Sequence, residues 1–392
     1  MRKVNRFEAH LDDYGIITAY LSKEFYQGRS DVFYLRDENG KLTKCSIFNY
    51  EQSGNDFFKY TLGVEDIIEI GKRYDLLEEH GLFVVLQYSL ITKTQRFDED
   101  FFYDGDDLGA TIQAGRTYFA LWAPTATRVV IEIFEKKGPL VIELSRQEKG
   151  VFTYHLSYNA HGSSYLYHVL VNGNWTTTTD PYATGSTVNH QRSVVIDFDQ
   201  IEAQQSYKLP VLKQATDAII YELSIRDFTL QPESNIKHRG QFLGLTETGT
   251  KTLNGVSTGI DHIKELGITH VQIMPMYDFA TVDEHNVSLF YNWGYDPMQY
   301  NVPEGSFASN PDDPIKRIEE ARKMVEAFHK QGIRVNMDVV YNHMYDMEAS
   351  SFEKVVPYYF FRRSQSGQLS NGSFCGNDVD SNRLMARKFI KD

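Results

Sequence analysis

The sequence predicts two β-sandwiches followed by a unit in which parallel strands alternate with helices. Three observations support this fold class. Short β-rich runs bounded by turn residues fill the first half of the chain, and an acidic, Asp-Gly-containing stretch divides them into two groups. After residue 210 the pattern changes to near-continuous apolar strands separated by helices, which is typical of a parallel sheet with right-handed crossovers.

The first predicted domain covers residues 1–97 and is a small sandwich. Its β-rich runs are separated by turn signals such as the Asp-Glu-Asn-Gly stretch at 37–40. Residues 64–77 lie between two of these runs, and we expect a short helix there. The predicted strands are residues 16–21, 31–35, 58–62 and 82–88.

The second predicted domain covers residues 98–205 and starts with an acidic linker at 97–109. The linker does not have the ligand spacing of an EF-hand loop, so it does not predict a calcium site. A second sandwich follows, in which an Asn-Gly pair at 172–173 predicts a hairpin turn. Its predicted strands are residues 118–122, 128–134, 152–156 and 165–171.

The third predicted domain covers residues 206–392. Glycine closes each of its two helices, at 259–267 and 315–331, and the longer helix has an apolar stripe on one face. About 35 residues separate the second strand from the second helix, and connections of that length are usually functional. The predicted strands are residues 218–225, 270–275 and 333–340.

Composition narrows the classes of function. The 392 residues carry a formal net charge of −13, which argues against nucleic acid or an anionic membrane as a partner. No apolar run is long enough to span a bilayer, and no apolar stretch follows the basic residues at the start. The two cysteines, Cys45 and Cys375, frame no metal site and are expected to be free thiols. We therefore expect a cytoplasmic protein without a cofactor, and nothing in the sequence supports Ca²⁺.

Two polar clusters could carry chemistry. The third strand runs into DVVYNH at 338–343, and active sites of parallel α/β folds lie at the carboxyl ends of strands. The long connection contains YNWGYDP at 291–297, whose rings could stack on sugar faces beside hydrogen-bonding groups. Each cluster has a structural alternative: the first could only satisfy loop backbone groups, and the second could only anchor a packed loop.

These motifs resemble a known family. DVVYNH resembles the first signature region of the α-amylase superfamily of glycoside hydrolases, and YNWGYDP resembles the hallmark of type I pullulanases. Residues 221–228 resemble that family's first barrel strand. FALWAP at 119–124, followed by DPYA at 180–183, resembles the starch- and glycogen-type binding module that precedes the barrel. The resemblance implies that the third domain is the N-terminal part of a (β/α)₈ barrel.

The resemblance also implies roles for individual residues. Tyr295 would stack on the sugar in the −1 subsite, and His343 would hydrogen-bond its hydroxymethyl group. Asp338 and Asn342 would support the site. The remaining substrate-binding candidates, which shape the −1 and neighbouring subsites, are Tyr291, Trp293 and Asp296.

The chain departs from the family in length. A (β/α)₈ barrel needs roughly 250 residues, and the third domain has room for only three strands. No catalytic residue is therefore expected within the chain. The family's nucleophile and general acid would lie beyond Asp392. Three strands cannot close, so we expect the apolar faces of the third strand and of the long helix to be uncovered.

The resulting functional prediction is pullulanase-type hydrolysis of α-1,6 linkages in pullulan, amylopectin or glycogen by an intact parent enzyme. This chain would hold the glucan-binding modules and part of the −1 subsite, and a complementing chain could supply the rest of the barrel. Two alternatives stay open: a non-catalytic α-glucan-binding protein, and an isoamylase or glycogen-debranching type of glycosidase.

Overall fold

The computed structural model describes residues 6–364 and 366–392. Arg2 and Lys3, the basic residues at the start on which the expectation of a cytoplasmic protein partly rests, lie outside the described residues. Within the described part of the chain, no helix is long and apolar enough to cross a membrane. The chain forms two β-sandwiches followed by the first three strands of a parallel barrel, as predicted.

The first sandwich contains eight strands in the order β7-β6-β3-β4-β5-β2-β1-β8. The long strand β4 pairs with β3 through residues 42–45 and with β5 from residue 46 onward, so it joins two layers. Phe33 of β3 lies across the interior from Tyr60 of β5, with ring centroids 5.0 Å apart. The strands are β1 Phe7–Asp13, β2 Ile16–Ser22, β3 Phe33–Asp37, β4 Leu42–Ser53, β5 Phe57–Gly63, β6 Tyr74–Glu78, β7 Phe83–Val85 and β8 Gln87–Tyr88.

Two local predictions for this region are wrong. Residues 64–77 contain no helix, because residues 64–73 form irregular turns and the strand β6 begins at Tyr74. The predicted linker at 97–109 is partly helical, because helix α1, Gln95–Phe101, extends into it. The Thr94 side chain accepts a hydrogen bond from Phe97 N and so caps this helix at its start.

The second sandwich packs a four-stranded sheet, β13-β14-β10-β9, against a sheet in which β12-β11-β15-β16 are joined by β17. Phe119 of β10 meets Tyr165 of β15 edge-on across the interior, at 5.2 Å between centroids. The predicted hairpin is confirmed, with Asn172 and Gly173 both at positive φ. The strands are β9 Gly109–Gln113, β10 Arg116–Trp122, β11 Arg128–Glu135, β12 Gly138–Glu143, β13 Ser145–Arg146, β14 Val151–Leu156, β15 Ser164–Val171, β16 Asn174–Thr178 and β17 Ser193–Val194.

The third region is built on a parallel three-stranded sheet in the order β18-β19-β22. The strands end in register, with Leu223 opposite Ile273 and Ile273 opposite Met337, so their carboxyl ends form one edge. The elements are β18 Ile220–Leu223, α2 Ile225–Leu230, α3 Gly259–Glu265, β19 His270–Ile273, β20 Tyr277–Phe279, β21 Pro297–Pro303, α4 Pro314–Lys330, β22 Arg334–Met337, α5 Ser351–Val355 and α6 Leu384–Lys391.

Three details of this region differ from the prediction. The first strand is shorter, because Ser224 caps helix α2 directly after it. The long connection is not a single loop, because β20 and β21 pair within it and leave residues 280–296 as the loop between them. Helix α4 is not uncovered, because Ile318, Ala321, Met324 and Phe328 are all buried.

The third strand is exposed at its edge as predicted, and the first strand is exposed as well. Met337 and Val339 are 40% and 39% exposed at one side of the sheet, and Ile220 is 54% exposed at the other. The C-terminal segment, by contrast, packs against the sandwiches. Asp98 of α1 accepts hydrogen bonds from Leu384 N at the start of α6, with both oxygens at 3.1 Å.

Candidate active site

The candidate site lies at the carboxyl edge of the parallel sheet, where an open cleft of about 530 Å³ is found. Residues from the ends of β18 and β19 form its floor, and two rings from the loop 280–296 form its wall. The lining residues are Tyr221, Glu222, Leu223, Ser224, Asp227, Phe228, Met274, Trp293 and Tyr295. Of the seven predicted site residues, only Trp293 and Tyr295 line this cleft.

Tyr295 connects the two predicted clusters. Its hydroxyl donates a hydrogen bond to Asp338 Oδ2 at 2.8 Å, so the loop is held to the end of β22. Burial, with the adjacent Asp338 carboxylate, raises the pKa of Tyr295 to about 12. The phenol therefore stays protonated near neutral pH and acts as a donor toward Asp338.

His343 is buried beneath the same loop. Its Nε2 lies 3.0 Å from the carbonyl oxygen of Tyr295, which can only accept, so Nε2 carries a proton. Its Nδ1 lies 2.6 Å from Asn342 Oδ1. The backbone oxygen of His343 accepts a hydrogen bond from the Tyr300 hydroxyl at 2.5 Å. His343 thus supports the backbone of Tyr295, and its contact with a sugar hydroxymethyl group stays a prediction.

The outer part of the site is an exposed aromatic platform. Tyr291 and Trp293 are 57% and 56% exposed, and the indole N–H of Trp293 donates to the Tyr291 hydroxyl. That hydroxyl donates in turn to Asp227 Oδ2 at 2.6 Å. The Arg226 guanidinium lies 5.1 Å from the centre of the Tyr291 ring. Apolar ring faces beside carboxylate and guanidinium groups suit a sugar, which has apolar faces and a polar rim.

Asp296 is half-buried and forms its hydrogen bonds within its own loop. Its Oδ2 accepts from Asn292 Nδ2 at 2.7 Å, and its backbone oxygen accepts from Ala280 N at 2.9 Å, which closes the base of the loop. Gly294 has a φ of +94°, and a Cβ there would lie 2.6 Å from the Pro275 oxygen. Only glycine fits this position without distortion. Through its hydrogen bonds with Asn292 and Ala280, Asp296 supports the loop, and a direct role of Asp296 in a subsite stays a prediction.

Sequence reasoning missed Asp227 and Glu222. Both lie in the segment 221–228, which was assigned to a barrel strand without a role for any side chain. Their position supplied a usable signal, because they lie at or just beyond the carboxyl end of the first parallel strand.

A second group of charged side chains lies at the base of the loop. The carboxylates of Asp278, Glu284 and Glu304 are buried and lie within 4.8 Å of one another, a spacing that could hold a metal ion. Arg317 is fully buried beside them, with Nη2 at 2.7 Å from Glu284 Oε2, and so supplies a positive charge from within the chain. His190 of the second sandwich reaches Asp278 Oδ1 at 3.2 Å. Burial and the neighbouring carboxylates raise the pKa of Glu304 to about 8.

Three family profiles match the chain in order. The pullulanase N1-terminal domain matches residues 7–92, and carbohydrate-binding module 48 (isoamylase N-terminal domain) matches residues 107–183. The α-amylase catalytic domain matches residues 239–371. The order of the matches is the order of the two sandwiches and the parallel sheet.

Individual relatives identify the family of the chain more closely than the three profiles do. A pullulanase of Bacillus subtilis (strain 168) is 40% identical over 387 residues, which is 98% of this chain and 53% of that protein. The chain belongs to the pullulanase family. The pullulanase of Anoxybacillus sp. LM18-11, crystallised with maltotriose, superposes with a TM-score of 0.93 at 42% identity, over 98% of this chain and 55% of that one. The type I pullulanase of B. subtilis, complexed with maltose, gives a TM-score of 0.92 at 38% identity, over 100% of this chain and 54% of that one.

The chain spans about half the length of these pullulanases. The chain therefore matches the part of these pullulanases that holds the two sandwiches and the first strands of the barrel. The predicted assignment of nucleophile and general acid to positions beyond Asp392 stays a prediction.

Proposed function

We propose that this chain is the glucan-binding half of an enzyme that hydrolyses α-1,6 linkages in pullulan, amylopectin or glycogen. The hydrogen bond between Tyr295 and Asp338 at the carboxyl edge of the sheet is the observation that carries the proposal. It joins the YNWGYDP loop to the end of the third strand in a chain 40% identical to a pullulanase over 98% of its length.

In this proposal the chain binds and orients the sugar. The exposed rings of Tyr291 and Trp293 offer stacking surfaces, and Asp227 and Glu222 offer acceptors for hydroxyl groups. Tyr295 is placed deeper, with its ring fixed by Asp338 through the hydroxyl and by His343 through the backbone. A ring held at both points loses little freedom when a sugar stacks on it.

The chemistry itself requires groups from outside this chain. Retaining glycosidases need two carboxyl groups about 5–5.5 Å apart across the scissile bond, one as nucleophile and one as general acid. We propose that the remaining barrel strands supply both, either in the same polypeptide or in a complementing chain. The exposed edge at Met337 and Val339 is the side on which the next strand would pair.

The test is a comparison of pullulan hydrolysis by three samples. These are the chain alone, the chain refolded with a polypeptide carrying the remaining barrel strands of a pullulanase, and that second polypeptide alone. We expect activity only in the mixture. Maltotriose as the product would identify cleavage of α-1,6 linkages.

Other outcomes separate the alternatives. Hydrolysis by the chain alone would overturn the half-enzyme proposal. Binding of α-glucan without activity in any sample would favour a non-catalytic glucan-binding protein, and activity on branched glycogen but not on pullulan would favour an isoamylase type. The cytoplasmic location stays a prediction from the sequence.

A further inference from the structure

The loop 280–296 is contacted from outside the barrel by a turn of the second sandwich. Asn189 and His190, at the tip of that turn, have φ values of 52° and 47°, the left-handed conformation that few residues other than glycine adopt. Asn189 Oδ1 accepts from Glu284 N at 2.9 Å, and its Nδ2 donates to Asp283 Oδ1 at 3.1 Å. The turn thus makes paired contacts with the backbone and a side chain of the loop.

His190 makes the most consequential contact of the turn. Asp278 is completely buried, and His190 is the only hydrogen-bond partner of its carboxylate within the described residues. Among the residues that the structure describes, none hydrogen-bonds the second oxygen, Oδ2, and the nearest guanidinium nitrogen of Arg317 lies 4.0 Å away. A buried carboxylate that loses its one hydrogen bond is strongly destabilised.

Arg317 cannot replace that contact. Its Nη2 is bonded to Glu284 at 2.7 Å, and its Nη1 donates to the Pro303 oxygen at 3.3 Å. A single guanidinium therefore lies among three carboxylates, and its short ion pair is with Glu284. His190 supplies the donor that Asp278 otherwise lacks.

The cluster lies at both ends of the hairpin that consists of β20, the loop 280–296 and β21. Asp278 is in β20, two residues before the loop begins. Glu304 follows β21 directly, and its Oε2 accepts from Phe279 N at 3.0 Å. Because β20 carries Asp278 and pairs with β21, a displacement of Asp278 moves the base of the hairpin from which Trp293 and Tyr295 project.

We infer that the turn 188–190 of the second sandwich is a positioning element for the glucan-site loop and acts through the His190–Asp278 contact. The sandwich thereby has a role in the site besides any binding of glucan on its own surface. That the loop binds sugar rests on the proposed function, whereas the support that the His190–Asp278 contact gives to the loop can be tested without it.

Hydrogen–deuterium exchange measured by mass spectrometry on the 392-residue chain tests the inference. The His190→Ala variant should increase exchange across residues 280–296 by about tenfold, the effect of one lost hydrogen bond to a buried charge. Exchange in α4 and β19 should stay unchanged. His190→Asn should restore most of the protection, because its Nδ2 replaces Nδ1 and Asn tolerates positive φ.

A matched control is available in the same loop. His285 forms an exposed pair with Asp312 at 2.9 Å, and His285→Ala should leave the loop unchanged. Unchanged exchange in His190→Ala would overturn the inference, as would an equal increase in α4 and β19, which would show general domain docking. A failure of pullulan hydrolysis would bear on the proposed function alone.

Discussion

Substitution of Tyr295 gives the sharpest test of the site. Its ring is partly buried and belongs to neither of the two large hydrophobic cores, so its contacts are those of the site. Its hydroxyl bond to Asp338 and the His343 bond to its backbone hold the ring at the edge of the sheet. Tyr295→Phe removes the first of these contacts, and Tyr295→Ala removes the ring as well.

The expected losses follow from those contacts. A hydrogen bond to a charged, partly exposed carboxylate contributes about 1.5 kcal/mol, so Tyr295→Phe should lower kcat/KM by about tenfold. Removing the ring forfeits roughly 50 Å² of apolar contact with the sugar, about 1.3 kcal/mol more, so Tyr295→Ala should lower it about a hundredfold. Neither change should lower the melting temperature by more than a few degrees.

The assay is pullulan kinetics together with thermal melting, performed on the enzyme completed to the full length of its relatives. Tyr158→Phe is the matched control, because Tyr158 also donates to a carboxylate, Glu135, but lies on the second sandwich. Unchanged kinetics with a large fall in melting temperature would refute the reasoning and make Tyr295 a packing residue. Equal losses of kcat/KM in Tyr295→Phe and Tyr295→Ala would refute a separate contribution of the ring.

Four further predictions concern other parts of the molecule. In the completed enzyme, His343→Gln should retain more activity than His343→Ala, because an amide can still donate from the position of Nε2; equal losses would remove that role. Asp98→Asn should lower the free energy of unfolding by about 1–2 kcal/mol in urea, since Asp98 accepts from Leu384 N at the start of α6, whereas Asp100→Asn on the exposed side of α1 should not. Glu304 has a pKa of about 8, above its unfolded value, so it binds a proton on folding. The free energy of unfolding of the wild type, relative to that of Glu304→Gln, should therefore fall as the pH rises from about 5 to 8. A difference between the two free energies that stays constant with pH would contradict this. The isolated chain should self-associate through its open strand edge, and Met337→Lys should reduce that association in sedimentation; a monomeric wild type would show that the edge is protected.

The sequence by itself determined most secondary structure and the two motifs of the site. Short β-rich runs bounded by turn residues predicted the strands of both sandwiches, and the apolar stripe predicted α4, observed as Pro314–Lys330. These signals are local, because each depends on the spacing of residues within a single element. The placement of DVVYNH at a strand end followed from the same local pattern and from the rule for parallel sheets.

Local patterns failed where tertiary contacts decide the backbone. Residues 64–77 were predicted to hold a short helix, but 64–73 form turns and β6 follows from Tyr74, because the Tyr88 hydroxyl accepts hydrogen bonds from Gly71 N and Lys72 N. Interactions with a distant strand override a weak helical preference. The same reason explains why β4 serves two sheets, which no period within its residues indicates.

Only the tertiary structure showed how the three regions depend on one another. Asp98 and Leu384 are 286 positions apart, and His190 and Asp278 are 88 apart, yet each pair is in direct contact. In the sequence, Asp98 is a carboxylate in an acidic stretch and His190 is a histidine in a polar turn, and no feature of either residue indicates its partner. Burial and charge balance gave them their roles, and both quantities exist only once distant segments have packed together.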